Sequence, residues 1–401
     1  MTGGETTLAA ARRALRELVA TTDRTGTLAL GEADGRVLAT EVAARRSVPH
    51  YERAAMDGYA IRAADVADAS RERPARLDLT GGPIGAGEAA RVHTGSELPA
   101  GSDAVVRLER AERGDGGIEV SRVVPAGKDV APAGEDVRAG QHLYAPGHRL
   151  RPSDLGLLKS AGIQTVEAYE RPTVTLLPTG REVVDADPDA GEVVETNGLT
   201  IANYVERWGG TPRLGEVVPD EHDALARAIR AASGADVVAT IGGSSVGEHD
   251  LVPAAIEAVG DLRVHGVAIK PGHPVGIGVV EGTPVLSVPG YPVSAIINAV
   301  QFLRPALNWR VGRRPAPFPT TRATLAGAIE GDRGVRRYSR VRLERNVDDP
   351  AEPVTAVPTT HSGAGVLSSV ALADGWVEVP EDETGLPAGT EVAVQDWEWH
   401  P

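Results

Sequence analysis

The chain has 401 residues, of which 41% are hydrophobic and 24% charged, a balance typical of a globular protein that can bury a sizeable core. It contains no cysteine, which excludes disulfides, thiolate metal sites and cysteine nucleophiles. The net charge of −15 argues against a general nucleic-acid binder, and no apolar run reaches the roughly 18 residues of a membrane span. The N-terminus lacks a signal-peptide pattern, so we expect a cytoplasmic protein that binds neither nucleic acid nor membrane.

The first 170 residues combine one clear helix with β-type segments. A helix capped by Thr6 or Thr7 is predicted as far as about Ala20, because leucines and alanines recur on one face. Residues 75–145 are rich in glycine, proline and short β-type runs, which is typical of a small inserted β domain. The helical pattern of residues 148–163 predicts the return of the chain to its first domain.

Strands and helices alternate from about Arg171 to Gly312. This rhythm predicts a mostly parallel sheet with helices on both sides. Past Pro315 the pattern changes to short β-type segments separated by proline, glycine and aspartate, which favours a small barrel or sandwich. The predicted strands of the alternating region include Val174–Leu177, Thr211–Val218, Val237–Ile241 and Val285–Val288, and its helices include Leu199–Trp208 and Asp223–Ala232.

Three glycine-rich turns lie close together in this region. The sequence GGSSVG (242–247) follows an apolar run and precedes a helical pattern, and this strand, turn and helix order is typical of an anion site. KPGHP (270–274) and PGYPVS (289–294) also follow apolar runs. One such turn is as often a simple connector, but three in succession predict loops that line one cleft at the carboxyl edge of the sheet.

Charged residues accompany these turns. Glu182, Asp220 and Asp250 each follow a predicted strand or turn, and singly each is more often a cap or a solvated residue. Together they predict a site for Mg²⁺, a cation that prefers oxygen ligands, with Asp220 and Asp250 as the metal ligands. Lys270 is one of only three lysines, so it supplies the local positive charge that an anionic ligand needs in an acidic protein.

The three turns resemble the GGxSxGxxD, KPGKP and PGNPVSA motifs of the molybdopterin molybdenumtransferases, the MoeA and gephyrin E-domain family. Further resemblances follow in family order: MDGYAIR (56–62), HTGSELPAGSDAVVRLE (93–109), AGEDVRAGQ (133–141), PTGREV (178–183) and ETNG (195–198). The resemblance covers nearly the whole chain. It implies an α/β multidomain fold with an elongated N-terminal domain (1–48 and 146–170), an inserted small β domain (49–145), a central doubly wound molybdopterin-binding domain (171–312) and a C-terminal β-barrel-like domain (313–401).

The resemblance also implies an activity. The expected reaction is the Mg²⁺-dependent insertion of molybdate or tungstate into adenylylated molybdopterin with release of AMP. The expected assembly is a homodimer in which the loop of Asp57 reaches the partner's cleft, although an aspartate before glycine is by itself more often a turn former. The catalytic residues implied are Asp57, Thr94, Asp136, Glu182, Asp220, Asp250, Lys270 and Arg340.

Substrate binding is assigned by resemblance to the turns of the central domain. The residues implied are Thr179, Gly180, Thr196, Asn197, Gly242, Gly243, Ser244, Ser245, Gly247, Pro271, Gly272, His273, Pro289, Gly290, Tyr291, Pro292 and Ser294. Three positions depart from the family motifs: His273 replaces a lysine, Tyr291 an asparagine and Arg181 an acidic residue. Two alternatives therefore stay open, a paralogue that carries the pterin without the chemistry and a structural scaffold.

Overall fold

The computed structural model describes residues 6–243, 251–346, 349, 353–359 and 363–399. The chain forms two compact units, one of residues Thr27–Ala168 and one that combines Met1–Gly26 with Tyr169–Pro401. The four predicted domains are a finer division, and their boundaries stay predictions. In the described part of the chain, no helix is both long and apolar enough to cross a membrane.

The N-terminal helix α1 (Leu8–Leu18) confirms the first predicted element. The hydroxyl of Thr7 accepts a hydrogen bond from the backbone N–H of Ala10 at 3.2 Å and so caps the helix. Leu8, Ala11 and Leu15 are buried in the main core of the second unit. The apolar face of α1 thus belongs to the α/β part of the molecule.

Residues 27–168 form a unit dominated by short strands, as predicted. Its largest sheet has six strands in the order β7-β4-β6-β5-β9-β8, and β4 in its interior is buried along its whole length. The elements are β1 (Thr25–Ala29), β2 (Val42–Ala43), β3 (Arg53–Ala54), β4 (Gly58–Ile61), β5 (Ala75–Leu79), β6 (Glu88–Val92), β7 (Ala104–Arg107), β8 (Glu112–Arg113), β9 (Gly117–Val120), β10 (Val130–Ala131), β11 (His142–Tyr144), α2 (Pro152–Ser160) and β12 (Thr165–Tyr169).

The next region alternates strands and helices. Its six-stranded sheet has the order β16-β13-β17-β21-β20-β18; the first four strands are parallel, and β20 and β18 complete it in antiparallel pairing. The elements are β13 (Thr173–Pro178), β14 (Val183–Val184), β15 (Val193–Val194), α3 (Asn197–Arg207), β16 (Thr211–Leu214), α4 (His222–Ala231), β17 (Val237–Ile241), α5 (Leu251–Val259), β18 (Asp261–His265), β19 (Ile269–Lys270), β20 (Gly276–Val280), β21 (Thr283–Val288), α6 (Pro292–Asn298) and α7 (Arg304–Arg310).

Both faces of this sheet are covered, because successive side chains of a strand point to opposite faces. On β17, Val237 and Ala239 pack in the core that includes α3, whereas Val238 packs in a separate core with α4 and α5. All five residues of β17 are buried. The prediction of a mostly parallel sheet between two helical layers is confirmed.

The C-terminal strands close into a five-stranded barrel. Five strands pair in the order β24-β25-β22-β28-β26, and β26 pairs again with β24. Two residues of the preceding region, strand β19, join this sheet parallel to β24. The elements are β22 (Thr320–Leu325), β23 (Ile329–Glu330), β24 (Arg336–Glu344), β25 (Thr355–Pro358), α8 (Ser368–Ala371), β26 (Gly375–Val379), β27 (Gly385–Leu386) and β28 (Glu391–Gln395).

A buried carboxylate at the start of the α/β sheet, Asp236, connects three separate segments of the chain. Asp236, with a side chain 1% exposed, accepts bonds from Arg24 at 2.6 Å, Arg310 at 2.7 Å and the backbone N–H of Thr173 at 2.8 Å. Burial alone would raise the pKa of Asp236, but these donors together lower it. The charge therefore stabilises the fold while Asp236 is ionised.

We expect Asp236→Asn to lower the free energy of unfolding by about 2–3 kcal/mol at pH 7, because two arginines lose their charged partner. A carboxyl with a lowered folded-state pKa stabilises above its unfolded pKa of about 3.9 and loses that contribution as the pH falls through the folded value. The difference between wild type and variant in urea unfolding should therefore shrink below about pH 4.

The control is Asp261→Asn, which removes an exposed ion pair with Arg263 and should cost about 0–1 kcal/mol. Equal losses in the two variants would show that the Asp236 cluster contributes no more than a surface pair.

Candidate functional site

The carboxyl ends of the four parallel strands carry most of the predicted site. Thr179 follows β13 and forms an isolated bridge with Val218, which brings the segment leading to Asp220 beside it. Gly242 and Gly243 follow β17, and the turn Pro289–Tyr291 follows β21. Parallel strands of one sheet end at the same edge, so residues far apart in sequence meet there.

Glycine is required where these turns approach one another. A Cβ on Gly242, whose φ is +113°, would stand 2.3 Å from the carbonyl oxygen of Thr179. A Cβ on Gly290 would stand 3.2 Å from the Cα of Gly242. The three turns thus pack backbone against backbone, which leaves the space above them open to a ligand.

A cavity of about 850 Å³, here called the strand-end cavity, opens above these turns. Asn197 fixes one wall, because its side-chain amide donates to the carbonyl of Gly290 at 2.6 Å. Glu195 accepts the backbone N–H of Gly198 at 2.6 Å and so holds the start of α3. The predicted site residues that line this cavity are Thr179, Glu182, Thr196, Asn197, Asp220, Gly242, Gly243, Gly290, Tyr291 and Pro292.

Two oxygens in the strand-end cavity have no hydrogen-bond partner among the described residues. They are Oγ1 of Thr179 and Oδ1 of Asp220, and both are fully buried. A Cβ on Gly243 would lie 2.9 Å from the first and 3.2 Å from the second, so the two oxygens flank a space that only a glycine leaves free. Burial raises the pKa of Asp220, and the charge of Glu182 raises it further.

Such orphaned oxygens suit a hard cation, which binds oxygen ligands and keeps several waters. The residues described contain no group of three or more acidic, histidine or cysteine side chains that could hold a metal. Asp250, the second predicted ligand, lies outside the described residues, as do Ser244, Ser245 and Gly247. A Mg²⁺ site formed by Asp220 and completed by Asp250 therefore stays a prediction.

The KPGHP turn reaches the same edge of the sheet, but not for the predicted reason. It follows β19, which belongs to the C-terminal sheet, and it precedes β20, which runs antiparallel to β21. Gly276 at the start of β20 is paired with Ser287 near the end of β21, so the start of β20 lies where β21 ends. The buried amide of Asn298 donates to the carbonyl of Gly272 at 3.0 Å and holds the turn.

This turn lines a second cavity of about 410 Å³, the basic cavity. Lys270, Arg337 and Arg340 contribute positive charge, and no carboxylate is among the described residues that line it. Among the described residues Tyr291 lines both cavities, so the turns predicted to line one cleft line two adjoining cavities. The predicted site residues in the basic cavity are Lys270, Pro271, Gly272, His273, Pro289, Tyr291, Ser294 and Arg340.

Arg340 is the least solvated of these cations, with 5% of its surface exposed. Its guanidinium donates to the carbonyl of Tyr338 at 3.3 Å and to the hydroxyl of Ser369 at 3.4 Å, both long bonds to neutral groups. Its Nε has no partner among the described residues. Burial lowers the pKa of Arg340, and the charge of Arg337 lowers it further. An anion bound beside Arg340 would therefore strongly stabilise the charge of this buried guanidinium.

Arg337 and Ser339 line the basic cavity but were not predicted. They come from β24, whose first residues pair with β19 so that Arg337 is in register with Lys270. A two-residue strand leaves no periodic signal in the sequence, so this pairing was not accessible from the pattern.

The departures from the family motifs face the cavities. Tyr291 is 66% exposed, and Gly365 lies beside its ring, where an added Cβ would stand 3.4 Å away. Nδ1 of His273 lies 2.9 Å from the carbonyl of Val267. Arg181 lines the strand-end cavity and pairs with Glu221 at 3.3 Å. Gly180, with φ +140°, lies on the same turn as Arg181.

Asp57 and Thr94 meet on the other compact unit. Oδ1 of Asp57 accepts the backbone N–H of Thr94 at 2.7 Å and its hydroxyl at 2.9 Å. These bonds lower the pKa of Asp57, and the nearby His93 adds to the effect. Asp136 is exposed on another turn, where its N–H donates to the carbonyl of Val48 at 3.1 Å. The structure thus joins two of the three predicted residues of this unit.

The parallel sheet with a cavity at the carboxyl ends of its strands is typical of an α/β protein that binds a ligand there, and the comparison with known families agrees with this class. Residues 175–309 match a probable molybdopterin binding domain, residues 6–162 match the MoeA N-terminal region (domain I and II), and residues 322–397 match the MoeA C-terminal region (domain IV).

Individual relatives extend the match over nearly the whole chain. The molybdopterin molybdenumtransferase of Synechococcus elongatus is 33% identical over 386 residues, covering 91% of this chain and 92% of its own. Molybdopterin molybdenumtransferase 2 of Mycobacterium tuberculosis is 32% identical over 392 residues, covering 92% and 94%. A crystal structure of a molybdopterin biosynthesis MoeA protein from Pyrococcus horikosii has a TM-score of 0.85 at 31% identity, covering 98% and 99%. The chain belongs to the MoeA family of molybdopterin molybdenumtransferases.

The close approach at Gly242 predicts a severe effect of Gly242→Ala. Gly282→Ala is the matched control, because Gly282 has φ +84° but no atom within 4 Å of an added Cβ. We expect the control to lose about 1–2 kcal/mol from left-handed strain alone. Gly242→Ala should lose at least about 2 kcal/mol more, because the methyl group meets the Thr179 carbonyl. Equal shifts of the urea unfolding midpoint in the two variants would contradict the close packing of the turns.

Proposed function

We propose that this protein inserts molybdate or tungstate into adenylylated molybdopterin and releases AMP, in a Mg²⁺-dependent step of molybdenum cofactor biosynthesis. The observation that carries the proposal is the pair of cavities that meet at Tyr291. One holds carboxylates and oxygens that have no hydrogen-bond partner among the described residues, which suit a cation bound to phosphate, and the other gathers cations around a buried arginine.

The basic cavity is the proposed oxyanion site. Molybdate and tungstate are tetrahedral dianions, and Lys270, Arg337 and Arg340 provide charge-assisted donors around one small space. The low polarity around Arg340 makes its interaction with an anion stronger than at the surface. Gathering these charges locally offsets the net charge of −15, which by itself would repel an anionic substrate.

The strand-end cavity is the proposed site of the pterin and its phosphoanhydride. Its floor of glycine turns lets backbone groups come close to a phosphate. Asp220, with Asp250 and the hydroxyl of Thr179, would hold Mg²⁺, which when bound neutralises phosphate charge and polarises the anhydride. Thr196 and Asn197 stand on the wall toward Tyr291, where they position the substrate between the two cavities. No covalent nucleophile is required of the protein.

The first experiment is single-turnover AMP release from adenylylated molybdopterin, with molybdate and then with tungstate. We expect AMP release that depends on the oxyanion and on Mg²⁺. The oxyanion that supports faster release would identify the physiological metal. Lys270→Ala should slow release by about 10²-fold, because a positioned cation at the reacting anion is lost. Lys159→Ala removes the same charge from an exposed position in the other compact unit and should leave release unchanged.

A carrier function is the second candidate, and the position of Tyr291 favours it. The ring replaces the asparagine of the family motif and stands where the two cavities meet. A carrier would bind the pterin tightly in the same assay and release no AMP with either oxyanion. That result would contradict the transferase proposal.

We further propose a homodimer in which Asp57 acts on the cavities of the partner subunit. The support is that the hydrogen bonds from Thr94 hold the Asp57 carboxylate ionised in an exposed position, ready to meet another surface. An exposed carboxylate so ordered needs little reorganisation when it contacts a ligand or a partner.

Mixing inactive variants tests this arrangement. If each site joins Asp57 of one subunit to Lys270 of the other, heterodimers of Asp57→Ala and Lys270→Ala contain one intact site. An equimolar mixture after subunit exchange should then recover about a quarter of wild-type AMP release. Lys270→Ala mixed with Arg340→Gln should recover none, because both residues belong to the same cavity. No recovery in the first mixture, with exchange verified by mass, would contradict action across the dimer.

A further inference from the structure

One carboxylate contacts two of the cations of the basic cavity without lining the cavity itself. Oδ2 of Asp332 lies 2.9 Å from Nζ of Lys270 and 3.7 Å from Nη1 of Arg337. Lys270 and Arg337 are adjacent because β19 and β24 pair in parallel with these two residues in register. The charge available to an anion in this cavity is therefore smaller than the lining residues alone imply.

The local backbone holds Asp332 at this place. Asp332 and Val335 form a bridge across a tight turn, in which the N–H of Val335 donates to the carbonyl of Asp332 at 3.0 Å. Gly334 supplies the left-handed conformation of the turn, with φ +89°. The turn leads directly into β24, so the backbone of Asp332 is held near Arg337, whereas Lys270 reaches the carboxylate at the end of a flexible stem.

We propose that Asp332 is an intramolecular competitor of the oxyanion and sets which anions the basic cavity accepts. In the anion-free protein the carboxylate of Asp332 pairs with Lys270, and a bound oxyanion replaces Asp332 as the partner of Lys270. The inference rests on the proposed oxyanion site and adds to it a residue that acts through Lys270.

The exposure of the ion pair makes this exchange feasible. The side chains of Lys270 and Asp332 are 53% and 49% exposed, and ion pairs in that setting contribute little to stability. The Coulomb attraction of a dianion to the three cations of the cavity exceeds the energy lost when the Lys270–Asp332 pair breaks. The attraction of a monoanion to the same charges is about half as large. The repulsion from Asp332 is also about twice as large for a dianion as for a monoanion, so Asp332 lowers the affinity for dianions more than the affinity for monoanions such as chloride.

The test measures binding of two tetrahedral oxyanions, molybdate with charge −2 and perrhenate with charge −1, by titration calorimetry. Asp332→Asn should tighten molybdate binding by roughly three- to tenfold, because one negative charge near the ligand is removed. Coulomb energy scales with ligand charge, so the gain for perrhenate should be about the square root of the gain for molybdate. A change in shape alone would alter both affinities by the same factor.

Asp261→Asn is the matched control. It removes one carboxylate from an ion pair of 2.8 Å whose two side chains are each 54% exposed, and Asp261 lines neither cavity. We expect its affinities for both anions to equal those of wild type. If the control and Asp332→Asn gained the same affinity for both anions, the effect would come from the change in net charge alone, and the proposal would be overturned.

The remaining outcomes are also decisive. Unchanged or weaker molybdate binding by Asp332→Asn would overturn the competitor role, the weaker binding showing that Asp332 orders Lys270 for the anion. In both cases wild type still binds molybdate, so the proposed oxyanion site stands. If neither wild type nor variant binds any oxyanion, the site and the competitor fail together.

Discussion

The backbone at the ends of the parallel strands is packed too tightly to carry side chains, and the rest of the site depends on that constraint. Gly242 lies against the carbonyl of Thr179, and Gly290 lies against Gly242. Because these turns are in mutual contact, the floor of the strand-end cavity is main chain, with few side-chain rotamers to order on binding. The polar side chains that line the cavity, such as Asp220, Asn197 and Tyr291, stand around this floor.

Carboxylates are concentrated in the strand-end cavity, which also holds Arg181, and cations are concentrated in the basic cavity. Carboxylates follow the strands of the α/β sheet, so Glu182 and Asp220 meet above its carboxyl edge. The cations come from the junction with the C-terminal barrel, where β19 places Lys270 beside Arg337. An acidic chain can thereby hold a basic pocket without a basic surface. Each cavity also has a buried polar atom without a hydrogen-bond partner among the described residues: Nε of Arg340 in the basic cavity and Oδ1 of Asp220 in the strand-end cavity.

The sequence was informative wherever a pattern is local. The bounds of β17 matched the predicted segment Val237–Ile241, because a continuous apolar run ended by glycine leaves little freedom. Most predicted ligand residues of the central domain line one of the two cavities, since turns after parallel strands converge. The two adjoining cavities were predicted as one cleft, because sequence motifs give the order of the turns and not the shape of the space between them. The roles of Arg337 and Asp332 were missed for a different reason: they follow from a two-residue strand pairing between segments more than sixty residues apart.

The sharing of β19 makes the C-terminal barrel inseparable from the site. Ile269 and Lys270 are covalently part of the α/β region but are hydrogen-bonded into the sheet of the barrel. A fragment that ended before β22 would expose the edge of β19 and lose Arg337 and Arg340, which is two thirds of the fixed cations of the basic cavity. Gene fusions or domain exchanges within this family would therefore have to move both parts together. The basic cavity thus belongs to the junction of the two parts and to neither part alone.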